Sequence, residues 1–201
     1  MNTVSVYSWR FSINVAIAFI PAAILGFLFL HALKEHFFNA ISVAIALIVG
    51  GFVILWAEKR PHTIRIESVD DMQPLDAFKV GLAQCAALFP GTSRSGATII
   101  GGLLFGLSRK VAAEFSFFLA IPTMFAATFY DVYKNRDAFV AADFPVFAVG
   151  FIVSFISALL VIRALMRYIS KHDFTAFAYY RIVFGAFILI SAATGWMSWS
   201  A

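Results

Sequence analysis

Between residues 90 and 98 the chain reads Pro90-Gly91-Thr92-Ser93-Arg94-Ser95-Gly96-Ala97-Thr98, a crowd of small hydroxyls around one arginine. Ser93, Ser95 and Thr98 offer hydroxyl donors, and the guanidinium of Arg94 adds a planar fork that matches phosphate oxygens. A helix opening near Ser95 would contribute unpaired N–H groups and the positive end of its dipole. Gly91 and Gly96, followed by Gly101, Gly102 and Gly106, let backbone and ligand approach closely. These residue types together favour an anion, a phosphate group foremost. The competing reading is structural. Arg94 would pair with a carboxylate and only pin helices together, and Glu114 is the one intramembrane carboxylate that could serve.

Other reactive residues carry weaker signals. Arg181, near the start of the last apolar run, reads as an interfacial side chain that snorkels to water. The histidines His31, His36, His62 and His172 fall in loops, without the cysteines or clustered carboxylates of a metal site. The single cysteine, Cys85, excludes an intrachain disulfide and reads as a small buried side chain. Glu67, Asp70 and Asp71 read as solvated loop charge. The Gly102 and Gly106 pair has helix-packing spacing, expected to act inside one protomer.

The elements that must position this loop lie in a very apolar chain. Of 201 residues, 62% are hydrophobic and 13% charged, with mean hydropathy +0.88. A soluble domain carries about a quarter charged residues, so this inventory cannot cover a water-facing surface. It indicates an all-α polytopic membrane protein and excludes disorder, a disulfide scaffold and a soluble enzyme. The net charge of +4 comes from cations between apolar runs, which orient a chain in a bilayer. No basic face interleaved with aromatics points to nucleic acid.

A bilayer core needs about twenty apolar residues in helix. Runs at 11–30, 37–57, 111–130, 144–162 and 182–201 satisfy this and give five spans, the first too long for a cleaved leader and kinked at Pro21. Trp196 and Trp199 suit an interfacial belt. The stretch 58–76 reads as a cytoplasmic loop. Residues 77–108 are apolar but broken near the middle by Pro90-Gly91, which leaves halves of about 18–20 Å, too short to cross. A re-entrant helix-loop-helix hairpin is the expected form. With it, Arg10, Lys59, Arg60, Arg65, Lys79, Arg109, Lys110, Arg163, Arg167 and Lys171 share one side, against Lys34, Lys134 and Arg136. That bias places the N-terminus and hairpin mouths in the cytoplasm. A single crossing of 77–108 would erase it.

The nonapeptide 90–98 resembles the second signature of the undecaprenyl-diphosphate phosphatase family, the bacitracin-resistance type. The likeness extends to Asp70-Asp71-Met72, to Glu114-Phe115-Ser116-Phe117 with Pro122, and to Tyr180-Arg181. It implies hydrolysis of a polyprenyl diphosphate to the monophosphate, recycling the lipid carrier of cell-wall synthesis in the bacterial inner membrane. It also implies an inverted-repeat fold and a site facing the outer side. By the resemblance, Arg94 matches the arginine that binds the diphosphate, and Ser93 and Thr98 match the hydroxyls beside it. Gly91, Thr92, Ser95 and Gly96 complete the expected substrate-binding set. The family's first signature, paired acidic residues before a Pro-x-Ser-Ser-x-Gly-His run, does not occur in these 201 residues. The divalent cation (Mg or Ca) implied by the family therefore has no ligands expected from this chain. Catalysis is expected to be incomplete without an N-terminal half or a second protomer.

A second function class stays open on the residues. A broken helix aimed at an anion near mid-membrane is also how secondary transporters hold substrates, so polyprenyl-phosphate binding or transport without hydrolysis is the alternative. The other membrane phosphatase class, with a Pro-Ser-Gly-His run, is disfavoured because no such run occurs.

Overall fold

The computed structural model describes residues 9–136 and 143–196. Seven α-helices follow in order: α1 Trp9–Phe37, α2 Ala40–Glu58, α3 Pro74–Cys85, α4 Arg94–Leu104, α5 Arg109–Lys134, α6 Phe144–Ile169 and α7 Thr175–Ala193. Five of them, all but α3 and α4, hold apolar windows long enough to cross a membrane. Local chemistry sets the helix starts. Asn39 caps α2 by accepting the Ser42 N–H at 2.8 Å, and Ser108 caps α5 through Val111. Pro74 opens α3 at a position where its missing N–H costs nothing, beside a Gln73–Asp76 capping box.

Some boundaries depart from the hydropathy reading. α1 continues to Phe37, so His31 and His36 lie in a helix and not in a loop; the His36 Nδ1 sits 2.9 Å from the Ala32 carbonyl. Lys34 and Glu35 end the apolar run but not the helix, because backbone hydrogen bonding does not require apolar side chains. The last helix is Thr175–Ala193, starting seven residues before 182, and the tail 197–201, with Trp199, lies outside the described residues. Trp196 is exposed and meets Phe187 edge-on. The stretch 58–76 is less irregular than expected: a short 3₁₀ turn at Val69–Asp71 precedes Pro74, and an Asp70 carboxylate oxygen is buried rather than solvated.

α3 and α4 form a helical hairpin whose outer ends meet. Ile66 and Leu107 make a parallel bridge, Arg65 donates its N–H to the Gly106 carbonyl at 2.8 Å, and the Ser108 N–H reaches the Ile66 carbonyl at 2.9 Å. The Arg65 side chain ties the same corner to Phe105 and Asp76. At this end of the bundle Asn14 of α1 donates to the Met72 carbonyl. Glu58, ending α2, pairs with Arg109, opening α5, and accepts the Phe174 N–H just before α7. Gly102 packs on Ala112 of α5, while Gly106 lies past the end of α4 against Arg65 and Thr63, so both act within the protomer.

The core lies where α4 meets α3 and α5, around Met72, Val80, Leu107, Val111, Phe115 and Leu119, with Phe11 of α1 edge-on to Phe115 and Phe118. α2 and α7 form a tight antiparallel pair. A Cβ on Gly185 would lie 2.7 Å from the Ala44 carbonyl, so only glycine admits this approach. α6 leans on α5 and leaves nearly its whole apolar length exposed, as suits a helix facing lipid.

Candidate functional site

The hairpin tip is built by a backbone that few residues tolerate. After a 3₁₀ turn at Ala86–Leu88 the chain passes Phe89 and Pro90 into Gly91, whose φ of 88° is left-handed. A Cβ there would also stand 2.5 Å from the Val43 carbonyl on α2. Glycine is thus required twice over. Ser93 then adopts φ 70° without being glycine, a conformation that costs on the order of 1–3 kcal/mol and gathers at functional sites. Its Oγ caps α4 by accepting the Gly96 N–H at 3.2 Å and lies 3.4 Å from the Ser95 Oγ. The tip rests on Val43 and Ala46 in the first two turns of α2, far from the bridged base.

Two walls flank the tip. On the α5 side, Arg94 donates from Nη1 to the Ser116 carbonyl at 3.3 Å. It lines a cavity of about 720 Å³ with Lys110, Glu114 and the apolar Phe117, Ile121 and Met124. Thr98 faces the same helix but is fully buried. Its hydroxyl reaches the Arg94 carbonyl at 3.0 Å and the Ser116 hydroxyl at 2.5 Å. Thr98 therefore closes the α4–α5 seam.

On the other side stands Arg181, where the sequence suggested a snorkelling residue. It is buried, only 8% exposed, because α7 starts earlier than its apolar run and carries position 181 inward. Nη2 donates to the Gly91 carbonyl at 2.9 Å and to the Ala46 carbonyl at 3.3 Å. Gly50 is bare because a Cβ there would fall on this guanidinium. Arg181 lines a cavity of about 300 Å³ together with Ser93, Ser95 and Gly96. It also borders an adjoining space of about 650 Å³ with Thr92 and Gly96. Phe117 lines the Ser93 cavity and the Arg94 cavity alike, and so stands between them.

The nonapeptide residues therefore do not converge on one point. Ser93, Ser95 and Gly96 gather with Arg181, Thr92 borders the neighbouring space, Arg94 opens toward Lys110 and Glu114, and Gly91 and Thr98 hold the backbone. Arg181 was the residue missed. The signal was present in the sequence: an arginine inside an otherwise uncharged helix needs a partner, the argument that singled out Arg94. His172 stacks on Tyr168, and the His62 Nε2 is buried. Cys85 is half-buried and donates weakly to the Gly81 carbonyl.

Comparison with known proteins identifies relatives along nearly the whole chain. Residues 2–187 match the family described as bacitracin resistance protein BacA. The chain is 63% identical over 191 residues to the undecaprenyl-diphosphatase of Nitrosospira multiformis, covering 95% of this chain and 70% of that protein. It is 61% identical to undecaprenyl-diphosphatase 2 of Rhodospirillum rubrum, over 96% of this chain and 71% of the relative. With the undecaprenyl-diphosphatase of Nitrosomonas europaea it shares 63% identity, over 95% and 70% of the two chains.

Proposed function

The chain belongs to the BacA bacitracin-resistance family, and from that membership we propose that it hydrolyses undecaprenyl diphosphate to the monophosphate and inorganic phosphate. The single observation that carries this reading is the loop itself. It places a strained N-cap serine, the Ser95 hydroxyl and the half-buried Arg94 at the start of α4, with the buried Arg181 of α7 beside it, within an apolar bundle. In the reaction water's oxygen bonds to the terminal phosphorus and gives up a proton to solvent, the bridging P–O bond breaks, and its electron pair stays on the oxygen of the lipid monophosphate. Arg94 holds non-bridging oxygens and stabilises charge that develops as the bridge opens. Ser93 and Ser95, which line the neighbouring cavity, donate hydroxyl hydrogens to the terminal phosphate, and the α4 N-terminus adds fixed positive potential. Phe117, Ile121 and Met124 beside Arg94 give the prenyl chain an apolar path.

The topology proposed with this function makes α3–α4 a re-entrant hairpin. Both of its outer ends meet at the end of the bundle that gathers Lys59, Arg60, Arg65, Arg109 and Lys110, and the positive-inside bias makes that end cytoplasmic. The tip, against the opening turns of α2, is then displaced toward the outer face of the inner membrane.

A divalent ion is a family expectation that these residues do not fit. Among the described residues no group of three His, Cys, Asp or Glu side chains gathers, and Glu114 is the carboxylate in the cavity of Arg94.

The test is release of inorganic phosphate from undecaprenyl diphosphate by the purified chain in detergent, beside Arg94→Ala. Release that disappears with the substitution supports the reading. Tight binding without release, both by this chain and by a chain extended through the family's first signature, favours the binding or transport alternative. Neither binding nor release removes both.

A further inference from the structure

We propose that Arg181 is a second phosphate-contacting residue, holding the terminal phosphoryl group, and then the inorganic phosphate released from it, in the cavity formed with Ser93, Ser95 and Gly96. This rests on the hydrolytic reading above and deepens it. The argument begins with electrostatics. Among the described residues no carboxylate pairs with Arg181, and its two hydrogen bonds go to neutral carbonyls, both from Nη2. Its Nε is buried with no partner. A buried cation without a countercharge is costly, and intramembrane arginines normally have one.

The surroundings sharpen that cost. Nη1 faces the first turn of α4, 3.7 Å from where a Cβ on Gly96 would stand. The start of an eleven-residue helix is the positive end of its dipole, so the guanidinium is set against a potential of its own sign. An anion between them relieves both. It would take hydrogen bonds from Arg181, from the Ser93 and Ser95 hydroxyls and from the helix end. The cavity of about 300 Å³ holds one tetrahedral phosphate, with apolar Ile99, Ile100 and Phe117 closing the remainder. Gly50 preserves the room that the guanidinium occupies.

Arg181 and Arg94 then divide the diphosphate. Arg94 stands in the cavity continuous with the apolar path for the prenyl chain, so it keeps the lipid-side phosphate. Arg181 borders the smaller cavity, which meets that of Arg94 at Phe117, and takes the terminal one. Orthophosphate should therefore compete at Arg181, and the lipid monophosphate at Arg94.

The experiment measures equilibrium binding of inorganic phosphate and of undecaprenyl diphosphate to the full chain in detergent, for the wild type, Arg181→Gln and Arg181→Lys, with a thermal melt of each. Gln keeps an amide donor for the Gly91 carbonyl but loses the charge; Lys keeps the charge but loses the fork. The expected result is orthophosphate binding weakened about tenfold or more in both variants, the loss of one charge-assisted contact. The lipid diphosphate should lose less affinity than orthophosphate, with the melting temperature nearly unchanged. Unchanged orthophosphate affinity in whichever variant folds overturns the proposal. Failure of both variants to fold does so too, because it makes Arg181 a structural pin. Absence of lipid diphosphate binding in the wild type would instead remove the hydrolytic reading on which the proposal rests.

Discussion

The two walls of the hairpin tip solve the same problem, an arginine inside a membrane bundle, in different ways. Arg94 opens onto a cavity that also holds Lys110 and Glu114, so acid and base are both at hand. Arg181 is placed among neutral carbonyls and a helix N-terminus, with Nε unpartnered. The α5 wall is an amphipathic surface with a charged end and an apolar length. The α2–α7 wall is a close-packed seam that keeps one cation in a small chamber. The difference teaches that one loop can border two arginine-lined cavities when its backbone takes positive φ at Gly91 and Ser93.

Four substitutions would break or sharpen that contrast. Arg94→Ala removes the fork on the α5 wall and is expected to weaken undecaprenyl diphosphate binding by about 100-fold or more, two charge-assisted bonds at about 1.5–3 kcal/mol each. Insertion and helicity by circular dichroism should stay near wild type. Gly185→Ala attacks the other wall by placing a Cβ against the Ala44 carbonyl. Overpacking of this kind costs about 1–3 kcal/mol, read as a lower denaturation midpoint in detergent, with affinity falling because α7 carries Arg181.

Glu58→Gln loosens the tie between α2, α5 and the start of α7 without touching either wall. Its carboxylate is almost fully buried but Arg109 is partly exposed, so a loss of about 1–2 kcal/mol is expected and not the full cost of a broken buried pair. A denaturation midpoint equal to wild type would mean this end is held by other contacts. Thr98→Val tests the seam alone. It should lower stability by about 1 kcal/mol and leave phosphate release intact. A large loss of release would place the Thr98 hydroxyl on the substrate.

The broad architecture was legible because bilayer physics is strict: apolar length defines the spans. Pro90-Gly91 marked the break in the hairpin for an equally direct reason, a backbone that cannot continue as helix. What was not legible depended on neighbours. Hydropathy puts an arginine at a span's edge by default, so Arg181 read as interfacial until α2 and α7 packed around it. Which wall each loop residue faces follows from φ at Gly91 and Ser93 and from the hydroxyl pair Thr98–Ser116, none of which has a local sequence signature. α1 outran its apolar stretch because Lys34 and Glu35 interrupt hydrophobicity and leave the helix intact.

The most direct test of the account is the affinity of the purified chain for undecaprenyl diphosphate in detergent, measured for wild type beside Arg94→Ala under identical salt. The account predicts saturable binding by the wild type that falls about 100-fold or more with the substitution. Equal affinities in two folded proteins would contradict it, leaving Arg94 a helix pin and the loop without its proposed ligand.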